Sequence, residues 1–229
     1  MKRNWKTELL CGVALLLLFG LWTVLIMHVD VQPTGQKGTN IGFAAVNHGF
    51  HAMTGVHMAL YTWTDWLGLV PVFVGFSFAM MGLAQWIKRR NILKVDGDIL
   101  LLGIYYILVI AGYLVFEMIP INYRPVLIEG RLEASYPSST TLLVLSVMPT
   151  LSLQISRRGK RRAVYCAVYA AESVFSAGMV LGRLFSGVHW LTDIIGAVLF
   201  SAGLFRIYRA CVMMMDRKMG VGRQNHGVS

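Results

Sequence analysis

The sequence predicts an all-α integral membrane protein, a six-transmembrane-helix bundle in one membrane domain (1–229) with an extracytoplasmic active site. Three observations carry this. The chain is 56% hydrophobic and only 14% charged, where a soluble domain of this size holds about 25% charged residues. Its apolar residues come in long, nearly unbroken runs, and runs of about 18 or more read as membrane spans. Its basic residues cluster between alternate runs, which sets an orientation.

The first span covers about 9–27, preceded by a short cytoplasmic N-terminus (1–8). It has a long apolar core and no clear small-residue cleavage site, so it reads as an uncleaved anchor. The connection 28–65 follows, an outer loop whose stretch 41–58 mixes apolar and polar residues as an interfacial helix does. The remaining spans fall at about 66–87, 98–116, 139–155, 163–181 and 189–208, and 209–229 forms a cytoplasmic tail. Of 21 Lys and Arg residues, only Lys37, Arg124, Arg131 and Arg183 lie outside the clusters on one side. By the positive-inside rule that side is cytoplasmic, and both termini with it. This suits a multi-pass protein of a bacterial plasma membrane, and equally an endomembrane with a lumenal site. The formal charge of +10 is therefore a topological signal, with anionic lipid headgroups as its second use, and not a nucleic-acid footprint. Cys11, Cys166 and Cys211 sit in or beside apolar runs without metal-ligand spacing, so neither a disulfide nor a zinc site is expected. Cys211, near the basic tail, reads as a membrane-facing thiol before a palmitoylation site.

Three outward connections, about 28–65, 117–138 and 182–188, must share one surface. The loop SYPSSTT (135–141) leads into the fourth span. A helix start exposes unpaired N–H groups and the positive end of the dipole, and so can bind an anion. Serine and threonine there serve equally well as caps alone. The stretch GRLFSGVHWLTD (182–193) adds Arg183, His189 and Asp193. Four residues apart, His189 and Asp193 share a face if helical, and a carboxylate beside an imidazole fixes its tautomer. Ionisable groups inside a span are costly and mark functional sites.

These residues carry a resemblance. Arg183, His189 and Asp193 match the motif Ser-Arg-x5-His-x3-Asp of the type 2 phosphatidic acid phosphatase (PAP2) superfamily, with Gly182 in the serine position. Pro137, Ser138, Ser139 and Thr140 align with its Pro-Ser-Gly-His motif, matched in the first two positions. Arg124 and Pro125 match the end of Lys-x6-Arg-Pro, whose lysine falls on Glu117. The resemblance implies a membrane lipid phosphatase that needs no cofactor or metal. It implies His189 as nucleophile forming a phosphohistidine, Asp193 as its orienting partner, and Arg124, Arg183, Ser138 and the amide of Ser139 as phosphate ligands. Thr140 stands where the family's general acid belongs, and a threonine hydroxyl does not titrate near neutral pH. Three readings meet that departure: a diphosphate substrate whose leaving group needs little protonation, a substitute acid in Glu117 or Glu133, or a chain that only binds or transports a lipid phosphate. Candidate substrates are polyprenyl diphosphate (undecaprenyl diphosphate in bacteria), phosphatidic acid and phosphatidylglycerol phosphate. A pure scaffold fits poorly with the complete Arg183, His189 and Asp193 set.

His48, His51 and His57 cluster in the first outer loop without a carboxylate or cysteine, so headgroup contact is expected rather than metal binding. Glu172 lies midway along the fifth span, read either as a protonated group bonded to a neighbouring helix or as a functional carboxyl. Trp22, Trp63, Trp66, Trp86 and Trp190 fall near span ends as interfacial anchors. Met213, Met214 and Met215 read as membrane-adjacent filler, and His226 as a solvated tail residue.

Overall fold

The structure, a computed structural model, describes residues 4–159 and 161–225, with side chains up to Arg217. Lys2, Arg3, Lys160 and His226 lie outside the described residues, as do the side chains of Lys218 and Arg223. Among the described residues eight α-helices form: α1 (Trp5–His28), α2 (Ala44–Thr54), α3 (Met58–Leu67), α4 (Leu69–Arg89), α5 (Gly97–Met118), α6 (Ser139–Arg158), α7 (Arg162–Phe185) and α8 (Leu191–Asn225). Six stretches are long and apolar enough to cross a membrane: α1, α3 with α4, α5, α6, α7 and the 191–217 part of α8.

Three boundaries differ from the sequence reading. The second span begins at Met58 rather than at 66, because α3 runs into α4 through Gly68, which keeps helical dihedrals. Only Pro71, which has no N–H to give the Leu67 carbonyl, interrupts the ladder there. The outer connection therefore ends at 57, not 65. Second, α7 continues to Phe185 and takes Arg183 into its last turn. Third, α8 runs on past 209, so the segment read as a tail is helical as far as Asn225.

The bundle is built around α6, the most buried span, which packs on α4, α5, α7 and α8. Lipid is as apolar as leucine, so these contacts depend on close packing and interhelical hydrogen bonds. The Tyr105 hydroxyl donates to the Ser146 carbonyl at 2.9 Å, and Tyr106 and Thr150 share a hydroxyl bond at 2.7 Å. The Ser152 hydroxyl donates to Oε1 of Glu172 at 2.6 Å and its amide to Oε2 at 3.1 Å, joining α6 to α7. Along α1 and α8, Gly12 and Gly203 let the backbones approach: a Cβ on Gly12 would stand 3.0 Å from the Gly203 carbonyl oxygen.

At the basic end, ion pairs tie the helices together. Arg157 meets Asp216 at 2.5 Å, Arg158 meets Asp98 at 2.6 Å, and Arg89 meets Asp96 at 2.8 Å. Arg206 meets Glu8 at 2.8 Å. Several cations read as lipid contacts are thus engaged by carboxylates. The opposite end is closed by the 119–138 connection, folded as a short hairpin with Tyr123 against Ala134 and Ile128 against Arg131. Its turn residues Glu129 and Gly130 both have positive φ, as a two-residue hairpin turn requires.

Candidate active site

His189 lies in the short connection between α7 and α8, and two neighbours clamp that connection. Gly187 adopts a φ of +70° and lies so close to Gly55 that any Cβ would overlap its backbone. The carbonyl of Gly187 meets Nε2 of His51 at 3.1 Å, and the amide of His57 donates to the Ser186 carbonyl at 2.9 Å. Trp190 is buried, its indole N–H donating to the Tyr123 carbonyl at 2.7 Å, with the rings of His48 and His51 against it. This corrects two readings. Trp190 braces the site instead of anchoring at a lipid interface, because its N–H has a buried backbone partner. His48 and His51 pack on that brace. Among the described residues no three His, Cys, Asp or Glu side chains come together as metal ligands.

Asp193 opens α8 in its first turn, while His189 precedes the helix, so the pair does not share a helical face. Oδ2 of Asp193 instead accepts from the Trp190 amide at 2.9 Å, as one half of a capping box. The same oxygen lies 3.6 Å from Nδ1 of His189. Nδ1 is closer to the Ser135 carbonyl, at 3.2 Å. A carbonyl and a carboxylate can only accept, so Nδ1 carries the hydrogen and Nε2 the lone pair. Nε2 is buried and has no hydrogen-bond partner among the described residues. Burial, with the charges of Arg124 and Arg183 added, holds the imidazole well below the ordinary histidine pKa, and the Ser135 carbonyl opposes this only weakly. His189 is a neutral imidazole with an available nitrogen.

Beside it is a cavity of about 200 Å³ whose walls include His189, Arg124, Ser139, Tyr113, Glu117 and Glu133. Arg124 is buried, with its Nε 3.2 Å from Oε2 of Glu133 and its Nη1 without a hydrogen-bond partner among the described residues. Arg183 is 1% exposed and its Nε is likewise unpartnered. Ser139 begins α6, so the helix's first amides lie at the cavity. Ser138 is fully buried, and its hydroxyl donates to Thr141 at 3.1 Å. Thr140 faces elsewhere. It lines an apolar groove with Val109, Ile110, Leu142 and Leu143. That groove shares Tyr113 and Ser139 with the polar cavity, so the two lie side by side.

The structure thus gathers His189, Asp193, Arg124, Arg183, Ser139, Glu117 and Glu133 at one end of the bundle, with Ser138 behind the wall and Thr140 on the apolar side. Glu172 is not part of this group. Sequence reasoning missed Ser135, whose carbonyl holds the imidazole, and Tyr61, whose ring lies under both arginines. No local pattern marks either one.

No curated protein matches the chain. Among solved structures, a transmembrane PAP2-type phosphatidylglycerolphosphate phosphatase from Bacillus subtilis superposes with a TM-score of 0.56 at 19% identity, over 90% of this chain and 96% of that one. At that identity the likeness is one of fold. The sequence model of the PAP2 superfamily matches residues 115–217. That matched stretch contains the segment from Glu117 to Asp193, with its arginines, serine-rich helix start and clamped histidine, and it is this part of the chain that is similar to the PAP2 superfamily.

Proposed function

We propose that the protein is a lipid phosphatase that hydrolyses a phosphomonoester or diphosphate at the outer face of the plasma membrane through a phosphohistidine on His189. The observation that carries this is the imidazole itself: Nδ1–H held by the Ser135 carbonyl with the Asp193 carboxyl 3.6 Å away, Nε2 without a partner among the described residues, and two buried arginines alongside. Nε2 attacks phosphorus, and a P–N bond forms as the bond to the leaving oxygen breaks. Arg124, Arg183 and the first amides of α6 hold the phosphoryl oxygens, where charge grows in the transition state. Water then attacks phosphorus, releases inorganic phosphate and restores the imidazole.

The leaving oxygen needs a proton, and Thr140 cannot supply one. Glu117 and Glu133 both line the cavity. Glu133 is engaged by Arg124 at 3.2 Å, and Glu117, which shares a side-chain hydrogen bond with Tyr113, is the substitute acid put to the test. General acid help of this kind is worth about 10²–10⁴ in rate. A diphosphate expels a phosphate monoester, a better leaving group than an alkoxide, and depends on it less. The apolar groove beside the cavity supports a substrate with a hydrocarbon chain, and a polyprenyl diphosphate such as undecaprenyl diphosphate is favoured by the leaving-group argument. Phosphatidic acid and phosphatidylglycerol phosphate, the latter named for the Bacillus subtilis neighbour, are the other candidates.

A second reading, a weakened member that binds or transports a lipid phosphate, is supported by Thr140 facing the groove and by the carboxylate of Glu133 lying on Arg124. Phosphate release by purified protein in detergent separates the two. The panel is a polyprenyl diphosphate, its monophosphate, phosphatidic acid and phosphatidylglycerol phosphate, each with wild type, His189→Ala and Glu117→Gln. The expected result is release abolished by His189→Ala and lowered about 10²-fold or more by Glu117→Gln on monophosphates, with a smaller effect on the diphosphate. Binding without release from any of the four favours the second reading.

A further inference from the structure

We propose that Tyr61 of α3 is a positioning residue, its ring acting as a shared platform that holds the guanidinium groups of Arg124 and Arg183 for phosphate. This rests on the reading of the site as a phosphate pocket. The carbon at the centre of the Arg183 guanidinium stands 4.8 Å from the ring centroid, and that of Arg124 stands 5.8 Å away. Both lie within the range, about 6 Å, where an aromatic face attracts a cation.

The two arginines repel each other, and Arg183 is 1% exposed. A buried charge needs compensation. Its acidic partner, Asp65, is 3.5 Å away with a side chain 58% exposed, so most of that carboxylate's field is lost to solvent. The remaining contacts of Arg183 are long: the Tyr61 carbonyl and the Thr64 hydroxyl, each at 3.4 Å. Tyr61, Thr64 and Asp65 are all on α3, outside the family segment 115–217. The face of the half-buried Tyr61 ring is therefore the element common to both cations. It draws them together without occupying the N–H groups a phosphate would take, since Nη1 of Arg124 and Nε of Arg183 stay unpartnered among the described residues. A carboxylate in the same place would neutralise them and compete with the phosphate.

Gly182 supports the same assignment. The family motif has serine there, and in this chain a Cβ at Gly182 would come 2.6 Å from Cγ2 of Thr64. The missing side chain is what lets α3 lie against α7 next to Arg183. The departure from the motif and the platform are two sides of one packing arrangement.

The test uses full-length protein in detergent, with inorganic phosphate binding and lipid-phosphate hydrolysis measured side by side. Loss of a cation–π contact of this kind changes affinity by roughly 2- to 30-fold. Tyr61→Leu is expected to weaken phosphate binding and raise KM within that range, with kcat reduced less than KM is raised. Tyr61→Phe, which keeps the ring, retains most of the affinity. Replacing Tyr61 with phenylalanines of increasing fluorination keeps the shape and drains the ring's negative face, so it covers a Tyr61→Leu protein that fails to fold. Phosphate affinity is expected to fall stepwise along that series. A flat series, or Tyr61→Leu with wild-type phosphate affinity, overturns the platform. Wild type that binds phosphate in this graded way yet hydrolyses nothing keeps the platform and removes the phosphatase reading. Wild type that neither binds nor hydrolyses overturns both.

Discussion

At the scale of single residues, the proposed reaction depends on one nitrogen staying unprotonated. A nucleophilic imidazole must be neutral, and free histidine is half protonated near pH 6.5. Burial of His189, with Arg124 and Arg183 beside it, disfavours the imidazolium and lowers its pKa. The sign follows directly: the neutral, reactive form persists to lower pH than in a solvated histidine, and activity is lost only as pH falls through the lowered value. A profile of kcat/KM against pH is expected to have its acid limb below 6.5. A limb at or above that value would mean that the arginines and burial do not control the nucleophile. The Ser135 carbonyl, closer to Nδ1 than Asp193 is, has a role that sequence could not reveal. A backbone oxygen carries no residue signature, whereas His189, Asp193, Arg124 and Arg183 stand out in sequence as candidates because the chemistry proposed for them depends on their side chains. Trp190 was misread for the converse reason. Its position near a span end fits an interfacial anchor, and only the fold reveals the Tyr123 carbonyl that receives its N–H.

At the scale of elements, the six spans were legible because hydropathy records solvent, and the bilayer is the solvent. Their ends were less so wherever an element turns from lipid toward protein. The start of α3 carries Thr62, Thr64 and Asp65, which read as loop in sequence. In the structure the buried Thr64 faces Arg183 and Asp65 pairs with it from the solvent side, so this polarity reports a protein partner as well as water. Glu172 is the same case deeper in the membrane. The peptide and hydroxyl of Ser152 both donate to its carboxyl, and Pro149 one turn earlier already removes an N–H from the α6 ladder. This makes the Glu172–Ser152 contact a clasp between α6 and α7. Glu172→Leu removes the interhelical acceptor of both Ser152 donors and leaves the hydroxyl only its longer bond to the Pro149 carbonyl, at 3.3 Å, at a cost of about 0.5–1.5 kcal/mol for each bond lost. The expected result is earlier thermal unfolding in detergent with kcat/KM of the folded protein unchanged. A loss of kcat/KM in protein of unchanged unfolding temperature would instead make Glu172 part of the function.

At the scale of the whole molecule, charge divides the bundle into two unlike ends. The basic end is held by the pairs Arg157–Asp216, Arg158–Asp98, Arg89–Asp96 and Arg206–Glu8, which join α1, α4, α5, α6 and α8. The other end has few cations, and the charges of two of them, Arg124 and Arg183, act on His189. The positive-inside rule then predicts that the reaction faces away from the cytoplasm. Labelling with a membrane-impermeant maleimide tests that orientation. The native thiols Cys11 and Cys166 are exposed and Cys211 is half-buried, so all are first replaced by serine or alanine. Arg131→Cys, at the exposed hairpin tip beside the site, is expected to react in intact cells. Leu93→Cys, 84% exposed at the basic end, is expected to react only after the membrane is permeabilised. The reverse pattern would put His189 and its cavity on the cytoplasmic side, and the substrate would then have to be a lipid phosphate of the inner leaflet. Labelling at both positions in intact cells would point to mixed insertion, which would mean that the basic clusters act mainly as the ion-paired clasp and do not set topology.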